Sequence, residues 1–385
     1  MISPNVYLCL SHRSLTAVSI GERLFGPYVW GRYDLLVMPP SFPYGGMENP
    51  TLTFVTPALL AGDRSLIDVV IHEIAHSWFG NLVTNANWSE FWLNEGFTMY
   101  AQRRISIEKY GLAFTCLEAR TGRALMEQCI VDNPPELTKL RVIIEAGVNP
   151  DDTYTETPYE KGYAFVCYLR SKVGSDEAFD GWLRAYCEHF KHQSIIAEDM
   201  FTHFFAHFPE LQSIADAPGK EFQRWLTEPG PPLVWPDLSA SAELSEPAEK
   251  LAAAWASGQR PTVDVSTWPS YQLCHFADTL MRAPLSIDTM TALDAAMPQL
   301  SSEQANAELR LRWCQLVVNN NYEAAFPRVL SFLHYTQKQK YTVPIYRLLM
   351  KGSDAARALA ARALEETGSI MHPNVRRQVE KVLAS

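Results

Sequence analysis

The stretch that decides the fold runs from residue 69 to residue 80 and reads VVIHEIAHSWFG. Its apolar residues recur at helical spacing, and residues i and i+4 share one face of an α-helix. His72 and His76 are therefore expected to project side by side, where two imidazoles could hold one metal ion. Glu73 would then reach a metal-bound water without being a ligand. Two helix histidines without a metal are the alternative reading of this stretch alone.

The same helix has candidate end signals. Asp63 and Ser65 offer N-cap oxygens ahead of the apolar run, and Gly80 and Asn81 are expected stop signals. A catalytic zinc site usually takes three protein ligands and leaves one position for water. The two histidines therefore require a third ligand elsewhere in the chain.

Glu95 is the candidate for that third ligand. It lies in LNEGFTMYAQRRI, which reads as a second helix, and eighteen residues separate it from His76. Two antiparallel helices joined by a short loop would bring Glu95 beside the histidine pair. Glu90 is a rival ligand that ranks lower, because it precedes the helix and is expected to face solvent. The prediction is one Zn²⁺ per chain, bound by His72, His76 and Glu95.

Three motifs, in this order, resemble those of the M1 family of zinc aminopeptidases. GGMEN at residues 45–49 resembles the family's exopeptidase motif, HEIAH followed by NEG resembles its zinc signature, and PYEKG at residues 158–162 resembles the segment with its catalytic tyrosine. The segments PPSFPYGGMENP, LTFVTP and LLAGD are similar in sequence to those of the aminopeptidase B and leukotriene A4 hydrolase branch. The segment WFGNLVTNANW is closer to aminopeptidase B. The resemblance continues through AELRLRW and KQKYT and so covers nearly all of the chain.

The resemblance implies roles at the reacting end of the site. Glu73 would take the proton of the attacking water and pass it to the leaving amine. Tyr159 would donate a hydrogen bond to the developing oxyanion, and Tyr154 would line the pocket. A solvated glutamate and a structural tyrosine are the plain alternatives for Glu73 and Tyr159.

The resemblance also implies residues that bind the substrate. Glu48 would hold the free α-amine, and the rest of its motif would border the substrate, namely Gly45, Gly46, Met47 and Asn49. Asp151, preferred to Asp152, would favour Arg or Lys as the first residue, unless it only forms a turn. Lys338 and Lys340 stand where the family binds the terminal carboxylate of the substrate; surface lysines are the alternative.

Composition narrows the function classes. The 385 residues carry a net charge of −10, which argues against nucleic-acid binding. The seven cysteines form no CxxC pair and indicate reduced thiols. The chain has no apolar run of about 18 residues that would span a membrane, and its start lacks the features of a signal peptide. We expect a monomeric cytoplasmic protein whose partners are peptides with a free N-terminus; secretion stays open because the N-terminus of the sequence could be incomplete.

The fold class predicted is α+β and mostly α. Residues 30–60 read as strands of a small sheet, and the chain from residue 63 to about residue 208 reads as mostly helical. The resemblance implies a thermolysin-like catalytic domain at residues 21–228. A Pro-rich linker is expected at 229–246, followed by an armadillo- or HEAT-like helical domain at 247–385.

Family members carry an all-β domain before the catalytic domain, and the atypical residues 1–20 do not resemble it. The leading function hypothesis is a zinc aminopeptidase that removes basic N-terminal residues. A bifunctional lipid epoxide hydrolase is the second hypothesis. A weakly active or non-catalytic scaffold, lacking the β domain, is the third.

Overall fold

The structure is a computed structural model that describes residues 4–61, 65–215, 219 and 221–384, with side chains from Leu15 onward except that of Ala215. By the contacts within the chain, the residues group into two units. Unit 1 holds residues 1–33 and 70–240, and unit 2 holds residues 34–69 and 241–385. Each unit has its own buried core.

Most of the described chain is helical. The helices in chain order are α1 (Pro4–Phe25), α2 (Ile67–Ala75), α3 (Phe91–Tyr110), α4 (Leu112–Asp132), α5 (Gly162–Val173), α6 (Asp176–Phe190), α7 (Ala197–His207), α8 (Gln212–Ala215), α9 (Glu221–Thr227), α10 (Ala242–Ala256), α11 (Ser270–Leu280), α12 (Ile287–Ala296), α13 (Pro298–Ser301), α14 (Ala307–Asn319), α15 (Phe326–Tyr335), α16 (Gln339–Lys351), α17 (Asp354–Thr367) and α18 (Pro373–Ala384). The strands are β1 (Asp34–Val37), β2 (Gly46–Met47), β3 (Leu52–Val55), β4 (Val83–Asn85) and β5 (Gln193–Ile195).

Unit 1 is built around α3, which packs against α1, α4 and α5. Its core is dominated by large aromatic side chains. Removing their apolar surface from water contributes a major favourable term to the free energy of folding. Among these buried aromatic residues are Trp92, Phe97, Phe165, Trp182, Tyr186 and Trp225. Strands β4 and β5 form a short parallel pair, with Val83 opposite Gln193. Together these elements form a helical frame around α3.

Unit 2 contains a small sheet and a run of stacked helices. The sheet has the order β1-β3-β2, with β1 parallel and β2 antiparallel to β3. Among the helices, α10 packs against α11, α11 against α14, α14 against α16, and α16 against α18. Such a sequence of neighbouring contacts is typical of helical repeat architectures.

These observations confirm the predicted fold class, α+β and mostly α, and the predicted small sheet within residues 30–60. The expected cap Asp63 lies outside the described residues, and helix α2 begins at Ile67, two residues after Ser65. The last residues of the predicted linker, from Ala242 on, belong to α10. Among the described residues, no helix is both long and apolar enough to cross a lipid bilayer.

The connection between α2 and α3 differs from the short loop that was expected. It contains strand β4, whose flanks are fixed by two backbone bonds, from His192 N–H to the Leu82 carbonyl and from Ala86 N–H to the Ile195 carbonyl. The apolar residues Leu82 and Val83 are buried here, so the connection contributes to the core. Sequence pattern alone does not reveal this strand, because β5 is more than a hundred residues away.

Candidate active site

The two histidines of the HEIAH motif present the same ring nitrogen to a common point. His72 Nδ1 lies 3.0 Å from Gln102 Oε1, and His76 Nδ1 lies 2.9 Å from the carbonyl oxygen of Phe79. A carbonyl oxygen only accepts, so each Nδ1 carries the proton and donates it. The lone pair of each Nε2 is therefore directed away from these partners, and the two Nε2 atoms stand 3.1 Å apart.

Glu95 completes a triangle with these nitrogens. Its Oε2 lies 3.3 Å from His72 Nε2 and 3.4 Å from His76 Nε2. That oxygen is buried and accepts no hydrogen bond from any residue that the structure describes. Ligands of a tetrahedral zinc ion at about 2.0–2.2 Å stand roughly 3.3–3.6 Å from one another. The three donor atoms fit Zn²⁺ in chemistry, and both distances from Glu95 lie in this range; the two Nε2 atoms, 3.1 Å apart, are slightly closer.

Helix α3 supplies this arrangement from one face. Residues at i, i+3 and i+7 share a helical face, and Glu95, Thr98 and Gln102 have that spacing. Thr98 Oγ1 donates to the Phe79 carbonyl at 2.7 Å and lies 3.1 Å from His76 Nδ1. One helical face thus provides a carboxylate to the site and orients both imidazoles, in the manner usual for zinc-binding histidines.

The charges of the cluster suit a cation. Burial raises the pKa of Glu95, but the two imidazoles outweigh it and bring that pKa to about 2. Burial lowers the pKa of His72, and the contact with Glu95 more than offsets it, so the pKa of His72 is raised. Glu95 is therefore an anion at neutral pH, and a metal ion competes with a proton for the Nε2 of His72.

Two glycines let α3 and α5 come close enough to form the site. A Cβ added to Gly96 would lie 2.7 Å from the Cα of Gly162 and 2.8 Å from its carbonyl carbon. Gly96 follows Glu95 in the NEG motif, and Gly162 ends the PYEKG motif. Backbone contact between these two positions brings Tyr159 and Glu95 into one region, which no larger residue at either position would permit.

Tyr159 stands beside the histidine pair. It lies in one turn of π-helix, Thr157–Lys161, a feature that is frequent at functional sites. Its ring is stacked near that of His72, with centroids 6.1 Å apart, and its hydroxyl lies 3.0 Å from that of Tyr154. Burial, together with the charge of Glu95, raises the pKa of Tyr159 well above its usual value. The phenol therefore keeps its proton at neutral pH and serves as a hydrogen-bond donor.

Glu90, the rival ligand, belongs to another cluster. The expectation that it faces solvent is wrong, because Glu90 is buried. Its carboxylate lies 2.5 Å from Arg141 Nη2 and accepts from Trp92 Nε1 at 3.1 Å. A buried carboxylate needs such partners, and these replace the solvent expected from its position before the helix.

The remaining predicted residues of unit 1 are Glu73, Tyr154 and Asp151. Glu73 follows His72 on α2 and is buried. Tyr154 is 42% exposed, which agrees with a place in a pocket wall. Asp151 is exposed and lies in the short 3₁₀ turn Pro150–Thr153. That location fits both a turn-forming and a substrate-facing aspartate, so its specificity role stays a prediction.

The predicted substrate-binding residues of unit 2 fall into one neighbourhood. Gly46 and Met47 form β2, which is followed by Glu48 and Asn49. A Cβ on Gly45 would lie 3.1 Å from Lys338 Nζ, so this glycine makes room for the lysine. The backbone N–H of Gln339 donates to the carbonyl of Pro43 and ties the two segments together. The GGMEN strand and the KQKYT segment therefore lie side by side within unit 2.

Lys338 and Lys340 have different surroundings. Lys338 is buried, and its ammonium lies 4.8 Å from the centre of the Tyr341 ring. Lys340 Nζ donates to Glu308 Oε1 at 2.8 Å, and Tyr341 Oη donates to the same oxygen at 3.0 Å. An ion pair with a buried carboxylate is thus an established role of Lys340, whereas binding of a substrate carboxylate by either lysine stays a prediction.

Comparison with known proteins shows which protein family the chain resembles. A model of the peptidase family M1 domain matches residues 12–217, which is more than half of the chain. The chain belongs to peptidase family M1. A model of the C-terminal region of leukotriene A4 hydrolase matches residues 268–383. The first match begins nine residues ahead of Gly21, where the sequence resemblance was expected to begin. Membership in the family confirms the predicted Zn²⁺ cofactor.

Individual members of family M1 are similar over almost the whole chain. Aminopeptidase B of Rattus norvegicus is 56% identical over 379 residues, which are 95% of this chain and 58% of that protein. Leukotriene A4 hydrolase of Xenopus laevis is 36% identical over 392 residues, 100% of this chain and 63% of that protein. The solved structure of yeast leukotriene A4 hydrolase in complex with bestatin has a TM-score of 0.87 at 30% identity, covering 96% of this chain and 62% of that one. This chain spans less than two thirds of the length of these M1 proteins.

Several residues that support the site were not predicted from the sequence. Gln102 and Thr98 are two; their spacing from Glu95 was the available signal. Lys161 is a third: it is fully buried, and its Nζ donates to the backbone carbonyls of Thr138, Glu228 and Gly230 at 2.6–3.0 Å. It ties the π-helical turn of Tyr159 to two distant segments, which no local pattern indicates.

Proposed function

We propose that this chain is a zinc-dependent aminopeptidase that removes N-terminal residues, preferably Arg or Lys, from peptides. The observation that carries the proposal is the triangle of His72 Nε2, His76 Nε2 and Glu95 Oε2, with sides of 3.1, 3.3 and 3.4 Å. These three residues would hold one Zn²⁺ per chain. The identity of 56% with rat aminopeptidase B supports the choice of reaction.

A zinc ion held by these residues would lower the pKa of a bound water to about 7 and would polarise the scissile carbonyl. The protein's own part is proton transfer and orientation. Glu73, one residue after His72, would accept the proton of the attacking water and return it to the leaving amine. Its burial shields this transfer from bulk solvent.

Tyr159 would donate its hydroxyl hydrogen to the oxygen on which negative charge develops. Because a hydroxyl has one hydrogen, Tyr159 can do this only if Tyr154 donates in the 3.0 Å contact between their hydroxyl groups. Tyr154 would therefore aim the donor of Tyr159. The raised pKa of Tyr159, caused first by burial, keeps that hydrogen in place through neutral pH.

The proposal also assigns the ends of the substrate. Glu48 would bind the α-ammonium group, with Gly45, Gly46, Met47 and Asn49 bordering the substrate backbone. Asp151 would attract a basic first side chain by charge. Lys338 and Lys340 would bind a terminal carboxylate; the ion pair of Lys340 with Glu308 weakens its share of that role.

The proposal also covers domain organisation, oligomeric state and compartment. We place a catalytic domain at residues 21–228, a linker at 229–246 and a helical domain at 247–385, in a monomer. The six cysteines whose side chains the structure describes are all free thiols, which supports a reducing compartment such as the cytoplasm. Lipid epoxide hydrolysis stays the second candidate, favoured by the 36% identity to the Xenopus leukotriene A4 hydrolase.

The test combines metal analysis with hydrolysis of aminoacyl arylamides. Wild-type protein should contain one zinc per chain and cleave an arginyl arylamide faster than an alanyl one. Glu95→Gln should lose most of its zinc. Glu73→Gln should keep zinc and lose activity by roughly 10²–10⁴-fold. If zinc-loaded wild-type protein cleaves no arylamide, the result would favour a non-catalytic scaffold. If it hydrolyses only a lipid epoxide, the result would favour the second candidate.

A further inference from the structure

Beyond the metal-binding residues, a chain of buried polar side chains leads away from His72 into the core of unit 1. We propose that Glu118, acting through Gln102, fixes the proton of His72 on Nδ1 and is thereby a positioning residue for this metal ligand. The proposal rests on the zinc site proposed above. It concerns residues to which the sequence analysis assigned no role: Gln102, in the predicted second helix, and Glu118, outside every quoted motif.

Gln102 is the central link. Its Oε1 lies 3.0 Å from His72 Nδ1, and its Nε2 donates to Glu118 Oε1 at 2.7 Å. Both Gln102 and Glu118 are buried, with 5% and 4% of their surface exposed. An amide can turn over and exchange its oxygen for its NH₂ group at nearly the same positions. What prevents this turn is Glu118, because a carboxylate accepts hydrogen bonds and would repel the amide oxygen.

The carboxyl group of Glu118 faces the guanidinium of Arg103. The Nε of Arg103 lies 3.6 Å from Glu118 Oε1, and its two terminal nitrogens donate to Glu160 at 2.9 and 2.7 Å. The guanidinium also lies 4.2 Å from the centre of the Tyr163 ring. A paired and stacked arginine of this kind has little freedom to move. Burial alone would lower the pKa of Arg103, but the charge of Glu160 outweighs it and raises that pKa, so the cation is permanent.

The order of donors and acceptors from Glu118 through Gln102 to His72 decides which ring nitrogen of His72 is free to bind the metal. With Glu118 ionised, Gln102 presents its oxygen to His72, the proton sits on Nδ1, and Nε2 offers its lone pair toward Glu95. If Gln102 turned over, its NH₂ group would face Nδ1 and the proton would move to Nε2, 3.3 Å from Glu95 Oε2. A protonated Nε2 cannot bind a metal. Outer partners of metal-binding histidines typically change affinity by about 10–100-fold when they are replaced.

The experiment compares Glu118→Gln, Gln102→Glu and the double variant that carries both. Glu118→Gln keeps the shape of the side chain but lets Gln102 take either orientation. Gln102→Glu places two carboxylates at hydrogen-bond distance. In the double variant the carboxylate and the amide have exchanged positions. The carboxylate at position 102 accepts from His72 Nδ1, and the amide at position 118 donates to that carboxylate.

Thr115→Val is the matched control. Thr115 is a buried residue on the same helix as Glu118, and its hydroxyl donates to the Gly111 carbonyl in the preceding turn. Three quantities are measured for every variant: the rate at which zinc passes to a chelator, the ¹⁵N spectrum of histidine-labelled zinc-free protein, and the Tm of the zinc-free protein. The His72 signals are assigned by their loss in His72→Gln.

We expect zinc loss to be about 10–100-fold faster in each single variant and to return to within about threefold of wild type in the double variant. Recorded at a pH above the raised pKa of His72, the ¹⁵N spectrum should show its proton on Nδ1 in wild type, the control and the double variant. Glu118→Gln should show a mixture of tautomers. A purely structural role would lower the Tm of Glu118→Gln without changing the His72 tautomer, and that result would overturn the proposal. So would unchanged zinc loss in Glu118→Gln, or a double variant no better than the worse single one.

Failure of the proposed function has a different signature. Wild-type protein that binds no zinc would refute the metal site, whereas the tautomer of His72 in zinc-free protein would still report on Glu118. Stoichiometric zinc in wild type, together with an unchanged tautomer in Glu118→Gln, would refute only the role of Glu118.

Discussion

The contact between Gly96 and Gly162 gives a prediction whose size follows from the structure. Gly96→Ala would place a methyl carbon 2.7 Å from the Cα of Gly162 and 2.8 Å from its carbonyl carbon. Carbon atoms attract one another at about 3.5–4.0 Å, so the helices α3 and α5 must separate by close to 1 Å. Both contacts are with backbone, so no change of rotamer can relieve them.

The expected loss of stability combines two opposing terms. Overpacking a tight core typically costs about 1–3 kcal/mol, and a backbone clash places this variant near the upper end. Replacing Gly by Ala inside a helix returns about 1 kcal/mol of helix propensity. The net loss should be about 2 kcal/mol, which corresponds to a Tm lower by roughly 4–8 °C for a unit of this size.

Gly181→Ala is the control. Gly181 lies inside α6, and a Cβ there would meet only the end of the Arg184 side chain, at 3.7 Å. That variant should gain up to about 1 kcal/mol, so the two alanine variants should differ by about 3 kcal/mol. Thermal unfolding followed by circular dichroism measures both. If Gly96→Ala is as stable as wild type, the close approach of the two glycines does not constrain the fold and the reasoning fails.

The other predictions concern the tyrosine pair, the buried lysine and a histidine far from the site. Tyr159→Phe should lower kcat by about 10²–10³-fold with little change in KM, and Tyr154→Phe should lower kcat by less; a pure KM effect in steady-state kinetics would make Tyr159 a binding residue instead. Lys161→Met removes the hydrogen-bond donor of three backbone carbonyls. At roughly 1–3 kcal/mol per unsatisfied group, the free energy of unfolding measured by urea titration should fall by about 3 kcal/mol or more. A loss below about 1 kcal/mol would contradict the role of Lys161 in joining these segments. Burial, aided by two neighbouring histidines, lowers the pKa of His203 to about 4, and its Nδ1 accepts from Trp182 Nε1, so the folded state resists protonation. The unfolded chain therefore binds more protons between about pH 6.5 and pH 4, so stability is complete above that range and is lost as the pH falls through it. His203→Gln should flatten this part of a urea-midpoint profile, and an unchanged slope would show that other groups carry it.

The sequence by itself predicted that His72 and His76, two of the three candidate metal ligands, would lie together. The i, i+4 spacing of His72 and His76 is a local property of a helix, so it specifies their common face without any knowledge of the rest of the chain. The third ligand required a resemblance as well, because eighteen residues of intervening chain set no distance on their own. The mostly helical fold class could be predicted for the same reason as the histidine face: helical periodicity is encoded within a few neighbouring residues.

Only the tertiary structure decided which partners the other polar side chains have. Glu90 is buried because Arg141, fifty-one residues later in the chain, supplies its counter-charge. Lys340 is engaged because Glu308 lies opposite it, and the strand β4 exists because β5 pairs with it. The relay from His72 through Gln102 to Glu118 joins three helices, and each of its members is an ordinary polar residue in its own segment. Such contacts depend on how distant helices pack, and a single sequence contains no local pattern that specifies which polar side chains will meet when they do.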